Sequence, residues 1–176
     1  MRYFRSILLA ITATVFLVFN PSPDTGKTAA PNPSARRTQT GPGLKEMLAR
    51  VDAAQLELQN GKPAAFKALW SHADDITLSG GFGGTIEQGW EQIDRRLDWV
   101  GAQFSKGSNT IDRLVAHESG DLAYVVQLEH IRFRVPGQAQ ESRRDYRATM
   151  VFRREQEGWR IVHRQADSQM TKQSPQ

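Results

Sequence analysis

Between Phe104 and Ile111 the spacing of apolar residues changes from three-and-four to two, which divides the chain into a helical front and a stranded back. Upstream, Leu44, Met47, Leu48, Val51 and Leu58 fall mainly on one helical face, and Asn60-Gly61 supplies a stop, so a first helix is expected over 44–59. Pro63, Phe66, Leu69 and Trp70 mark a short second helix ending near Ser71. Trp90, Ile93, Leu97, Val100 and Phe104 mark a third, amphipathic one. Downstream, alternation predicts strands over 111–118, 122–135, 143–155 and 159–166, joined by turns short enough to make neighbours antiparallel. A short strand is also expected over 76–79. Three N-terminal helices against a curved antiparallel sheet make an α+β domain.

Arg2 and Arg5 precede an uncharged apolar run over 7–19, the layout of a secretory signal. The run is shorter than the roughly 20 residues a transmembrane helix needs, which favours cleavage over a permanent span. Ala29-Ala30 offers small residues for a cut, but Pro31 follows, so an uncleaved anchor stays open. Residues 1–19 are therefore expected to be a signal peptide or anchor. The rest would lie outside the cytoplasm, periplasmic or extracellular, touching a membrane only through this segment if it is uncleaved. Residues 20–43, rich in Pro, Gly, Ser and Thr, read as a disordered linker, 44–168 as the folded domain and 169–176 as a disordered tail.

The net charge of +4 resides in the first 43 residues, because the 18 basic residues after Gly43 are balanced by 18 acidic ones. A neutral domain lacks the electrostatic footprint of nucleic-acid binding, so no nucleic-acid partner is expected. The absence of cysteine excludes disulfides, thiolate metal sites and cysteine nucleophiles. No cofactor motif occurs either; the run from Gly80 to Gly84 has no Gly-Lys-Ser/Thr behind it and reads as a close-packed turn.

The string YRATMVFRREQEGWRIVHRQAD, from Tyr146 to Asp167, resembles the final hairpin of SnoaL-like domains in the nuclear-transport-factor-like superfamily. The string ALWSHADDITLSGGFGGTIEQGWEQIDRRLDW, from Ala68 to Trp99, resembles the same family from its second helix through its third. The resemblance implies a cone, in which a strongly bent sheet wraps the helices around a pocket. It also implies a homodimer. Members include ketosteroid isomerases, cyclases, dehydratases and kinase association domains, so the fold gives no reaction. Two departures stand out: Gly61-Lys62-Pro63 lacks the family's capping Asp, and Gln165 replaces a second histidine.

On the strand over 122–135, Ala123, Val125, Gln127 and Glu129 share one face, and Leu122, Tyr124, Val126, Leu128 and His130 the other. On the next, the resemblance implies that Arg147 and Thr149 point into the cone. Met150 and Phe152 would then lie on a convex face buried in a homodimer. Glu129 and Arg147 would pair across the pocket wall, with Arg147 offering a donor fork to a carboxylate ligand. His163 is the family-matched histidine of the last strand; together with Glu129 it is a candidate acid or base, though a histidine hydrogen-bonded into the sheet fits as well. Trp70, Phe82 and Trp90 are the aromatic candidates for lining the pocket. His72-Ala73-Asp74-Asp75 lacks the spacing of a metal site, and none is expected. Two functions follow: binding of a small hydrophobic or carboxylate ligand or dimeric assembly without catalysis, or an isomerase, dehydratase or cyclase acting on a small hydrophobic carbonyl compound. Direct neutralisation of Glu129 by Arg147 would favour the first.

Overall fold

The computed structural model describes residues 43–168, 170–172 and 174. The signal or anchor expected over 1–19 and the linker over 20–42 lie outside the described residues, among which no helix is long and apolar enough to cross a membrane. Helix α1, Leu44–Leu58, buries the expected stripe together with Ala54 and Gln55. Its first turn is closed by Glu46, whose carboxylate accepts the Gly43 N–H at 2.7 Å. Helix α2 is only Ala64–Lys67, shorter than the expected second helix. Beyond it the Ser71 N–H donates to the Ile161 carbonyl and the Ile161 N–H to the Leu69 carbonyl, so strand-like pairing replaces the last helical turn. Strands β1, Thr77–Ser79, and β2, Glu87–Gln88, flank the glycine run, and helix α3 spans Trp90–Gly101. Strand β2 carries no alternation that sequence could reveal.

Four long strands follow: β3 Ser105–Ser119, β4 Leu122–Arg134, β5 Glu141–Glu155 and β6 Gly158–Asp167. They form an antiparallel meander, and the six-stranded order is β2-β1-β6-β5-β4-β3. The sheet is mixed rather than antiparallel throughout, because β1 runs parallel to β6, with Thr77 beside His163 and Leu78 beside Arg164. Its partner lies more than eighty residues downstream, a pairing that turn lengths do not report. The sheet is strongly curved, and its ladders are interrupted at Ser105/Ser108 and Arg113/Val115 in β3–β4 and at Val151/Phe152 in β5–β6.

The concave face holds the core. Ala123, Val125, Gln127 and Glu129 of β4 are buried there, as expected. On β5, however, the buried set is Tyr146, Ala148, Met150 and Phe152. This corrects the assignment implied by the resemblance: Arg147 and Thr149 point outward, and Met150 and Phe152 belong to the core rather than to a convex dimer face. Burial of this apolar set decides the face, since Met150 and Phe152 each contribute about 1.5–3 kcal/mol when removed from water. Two clusters result, one built around Trp70, Trp159, Phe152 and the helices, the other around Phe104, Ile131, Phe133 and Tyr146.

The β5–β6 bulge sets the final register. Phe152 faces Ile161, but Met150 faces Arg164, so one extra residue of β6 is accommodated between them. Trp159 and Ile161 therefore point inward before the bulge, and Arg164 and Ala166 after it. His163, which unbroken alternation from Ile161 would place inside, is turned to the outer face.

Candidate functional site

Where the two clusters meet, a cavity of about 60 Å³ remains. Its apolar wall comes from Leu58, Phe66, Leu78, Leu97, Val100 and Phe104. Its polar wall comes from Gln55, Gln59, Glu129, Tyr146 and Arg164, and Gly80, Gly81 and Phe82 close its mouth. Each group is placed by an ordinary structural cause. Gln55 and Gln59 lie one helical turn apart at the end of α1, while Glu129 and Tyr146 stand across the β4–β5 ladder from one another.

The polar wall is organised around Glu129. The Arg164 guanidinium grips its carboxylate at both oxygens, Nη1 to Oε1 at 2.9 Å and Nη2 to Oε2 at 2.8 Å. Gln127 Nε2 and Gln55 Nε2 also donate to Oε1, at 2.8 and 3.2 Å. Glu129 is 2% exposed. Burial alone pushes its pKa up, but the Arg164 charge and the hydrogen bonds from Arg164, Gln127 and Gln55 outweigh it and hold the carboxyl below its ordinary value. Glu129 is thus an ionised member of a neutral pair, not a base waiting for a proton. Gln127 extends the network outward, since its Oε1 accepts from Arg113, which in turn bonds Asp52 of α1 at 2.7 Å.

Two amide oxygens of the same wall, Gln55 Oε1 and Gln59 Oε1, have no protein partner, and the Tyr146 hydroxyl, beside the Arg144 guanidinium, has no acceptor for its proton. All three residues are less than 5% exposed. Burial pushes the Tyr146 pKa up, and the Arg144 charge and hydrogen bond and the Arg164 charge only partly offset this, so the phenol stays protonated. The Tyr146 ring lies directly beneath the glycine run. A Cβ at Gly81 would fall inside the van der Waals envelope of that ring, so only glycine lets the loop approach so closely. Gly107 is required for a similar reason, since a Cβ there would strike the Gln59 backbone. Phe82 turns its ring toward Phe104 and Trp99, with centroids 5.5 and 5.4 Å away, and the Arg144 guanidinium lies 4.3 Å from its face.

Of the residues expected at the site, Glu129 and Phe82 are there. Arg147 is 55% exposed and bonds Asp167 at 2.6 Å, so its pairing with Glu129 does not occur; Arg164 has that role. Thr149 lines a shallow outer groove with His117, Leu122, Tyr124 and Val151. His163 is also outside, its Nδ1 2.8 Å from the Thr77 hydroxyl, and burial lowers its pKa. Trp70 is 1% exposed within the core and away from the cavity. Trp90 stacks on His72 with centroids 4.0 Å apart, also away from it. In the neighbouring loop Asp75 is held by Arg153 at 2.7 Å.

Gln55, Gln59, Tyr146 and Arg164 were missed. The buried side of α1 already contained both glutamines at helical spacing, and Tyr146 belongs to the apolar alternation of β5. Arg164 carries no comparable signal, because its orientation depends on the bulge.

Residues 48–170 match the SnoaL-like domain family, and the chain belongs to that family. No curated protein matches the chain by sequence. Among solved structures, a nuclear-transport-factor-2-like superfamily protein from Salmonella enterica serovar Typhimurium is 23% identical, with a TM-score of 0.60 over 70% of this chain and 86% of that one. A proposed dehydratase of the same superfamily from Streptomyces avermitilis is 19% identical, with a TM-score of 0.62 over 72% and 97%. A proposed calcium/calmodulin-dependent protein kinase type II association domain from Thiobacillus denitrificans is 17% identical, with a TM-score of 0.59 over 72% and 95%. At these identities the likeness is one of fold, and the cone architecture is shared.

Proposed function

We propose that this protein binds a small, largely apolar molecule in the cone cavity and does not use Glu129 as a catalytic base. The observation that carries this reading is the bidentate Arg164–Glu129 pair, which consumes the carboxylate best placed to act on a ligand. An isomerase, or a dehydratase of the kind named among the structural neighbours, needs a proton acceptor inside the pocket, and His163 lies on the other side of the sheet. Mass spectrometry of small molecules extracted from protein purified from its native host tests the reading. Val100→Phe, which fills the cavity, is expected to come out without the compound the natural chain carries. Recovery of the same compounds from both, or of none from either, sinks the proposal.

Two further parts concern setting and assembly. The Arg2, Arg5 and 7–19 pattern supports export, and a full-length chain found soluble in the cytoplasm would reject it. Leu122 and Tyr124 are 53% and 41% exposed on β4 and line one groove with Val151 of β5. Such a patch on a sheet's outer face supports a homodimer closed by this surface. The association-domain neighbour is consistent with an assembling role for the fold.

A further inference from the structure

The cavity is smaller than any aromatic ligand requires. An engineered apolar cavity of about 150 Å³ is the size that admits benzene, and this one holds about 60 Å³. The mouth, however, is already occupied by an aromatic ring that belongs to the protein. Phe82 is partly buried, carried on a loop with four glycines, and inserted between Trp99 and Phe104 with Arg144 over its face. Its loop is secured by the Arg96 guanidinium, which donates to the Gly83 carbonyl at 2.8 Å. The same cavity is lined by the unpartnered Gln55 and Gln59 amide oxygens and by the Tyr146 hydroxyl, whose proton has no acceptor.

The chemistry those atoms ask for is specific. The Gln55 amide is oriented by Glu129: its Nε2 donates to the carboxylate, and turning the amide over would set two oxygens against each other at about that distance. Gln55 Oε1 is therefore an acceptor and needs a donor from the ligand. The protonated Tyr146 hydroxyl supplies a donor in return. One hydroxyl group satisfies both, donating to Gln55 and accepting from Tyr146, whereas a carboxylate would face an amide oxygen and find Arg164 already neutralised.

We propose that the cavity recognises a neutral hydroxylated aromatic compound, whose ring displaces Phe82 from the Trp99–Phe104–Arg144 box and whose hydroxyl bonds Gln55 and Tyr146. Phe82 is in this sense a placeholder that keeps the apolar box filled until a ligand arrives. The inference rests on the binding function proposed above and adds the ligand's class and the side chain it replaces.

Phe82→Ala in the full chain opens the box, and calorimetric titration with phenol, toluene and benzoate reads the outcome. Phenol is expected to bind roughly tenfold more tightly than toluene, the worth of about one net hydrogen bond. It is also expected to bind Phe82→Ala more tightly than the natural chain. Adding Tyr146→Phe is expected to erase the preference while leaving toluene unchanged; if that chain does not fold, Gln55→Met on Phe82→Ala makes the same comparison, and Phe82→Leu replaces Phe82→Ala if the latter fails. Equal affinity for phenol and toluene overturns hydroxyl recognition and leaves the cavity a binding site. Tighter binding of benzoate overturns it too, in favour of an anion held by Arg144. Binding by the natural chain as tight as by Phe82→Ala overturns the placeholder. No saturable binding of any probe to either chain overturns this inference and the binding function together.

Discussion

Arg164 faces Met150 across the β5–β6 ladder, whereas Ile161, three residues earlier, faces Phe152 only two residues away on the partner strand. The extra residue rotates Arg164 into the cone and delivers its guanidinium to Glu129. Arg164→Ala leaves that carboxylate buried and unpaired, and is expected to cost about 3–5 kcal/mol. Glu129→Gln in the same chain should recover part of the loss. Arg147→Ala removes an exposed pair with Asp167 and should cost no more than about 1 kcal/mol. Chemical denaturation of the three variants measures all of this; an Arg147 loss equal to that of Arg164 would contradict the pairing.

Acid should act through the same pair. Glu129 has a folded-state pKa below its unfolded value, so its contribution to stability is complete above about pH 4.3 and is lost as pH falls through the folded value. The acid limb of the stability profile is expected to flatten in Glu129→Gln paired with Arg164→Met, a combination that carries no carboxylate at the site. An unchanged limb would place the acid sensitivity elsewhere.

Near neutrality two histidines should oppose each other. His130 is hydrogen-bonded by Asp145 at 2.7 Å and Asp112 at 3.3 Å, and Arg143 donates to the same Asp145 carboxylate. Its pKa is raised, chiefly by the Asp145 hydrogen bond, so its stabilisation is full below about pH 6.5 and lost as pH rises through the folded value. His163 is lowered by burial, so its contribution is present above about pH 6.5 and lost as pH falls. Thermal unfolding from pH 5 to 8 should show His130→Asn losing the alkaline-side decline and His163→Asn losing the acid-side one. The His130 effect will be small, as the ring is one-third exposed.

Gly81→Ala is expected to destabilise the domain by about 1–3 kcal/mol, because its methyl group must displace the Tyr146 ring. The same change at Gly83, where no atom lies within 4 Å but φ is +75°, tests backbone strain without the clash. A Gly81 cost no larger than that at Gly83, measured by denaturation, would show that the loop does not rest on Tyr146.

Leu122→Lys places a charge on the exposed outer patch and should convert a homodimer into a monomer without loss of helix or strand content. Light scattering at micromolar concentration, alongside circular dichroism, reads both. A natural chain already monomeric there would remove the assembly proposal.

Much of this architecture was legible in the residues themselves. The change of period at residue 104 separated helices from sheet, and the alternation of β4 placed Glu129 inside with Ala123 and Val125. The alternation of β5 was equally informative: Tyr146, Ala148, Met150 and Phe152 form the more apolar set, and they are the buried one. The resemblance pointed the other way and misplaced Arg147 and Thr149. A bulge leaves no mark in hydrophobic spacing, so His163 and Arg164 exchanged faces, and the partner of Glu129 was sought on the wrong strand. The parallel β1–β6 pairing was also beyond reach, because three residues carry too little pattern to choose among distant edges.

That pairing governs the order in which the sheet can be assembled. β6, the last described strand in the chain, lies between β5 and β1, so during synthesis both neighbours have unfilled edges until it emerges. The helices and β1 are made early but find their closing partner only at the end, a high-contact-order arrangement that folds slowly. A chain truncated before Gly158 would lose Trp159, Ile161 and Arg164 together, leaving Glu129 unpaired and two strand edges bare, and a stable domain requires the whole sheet.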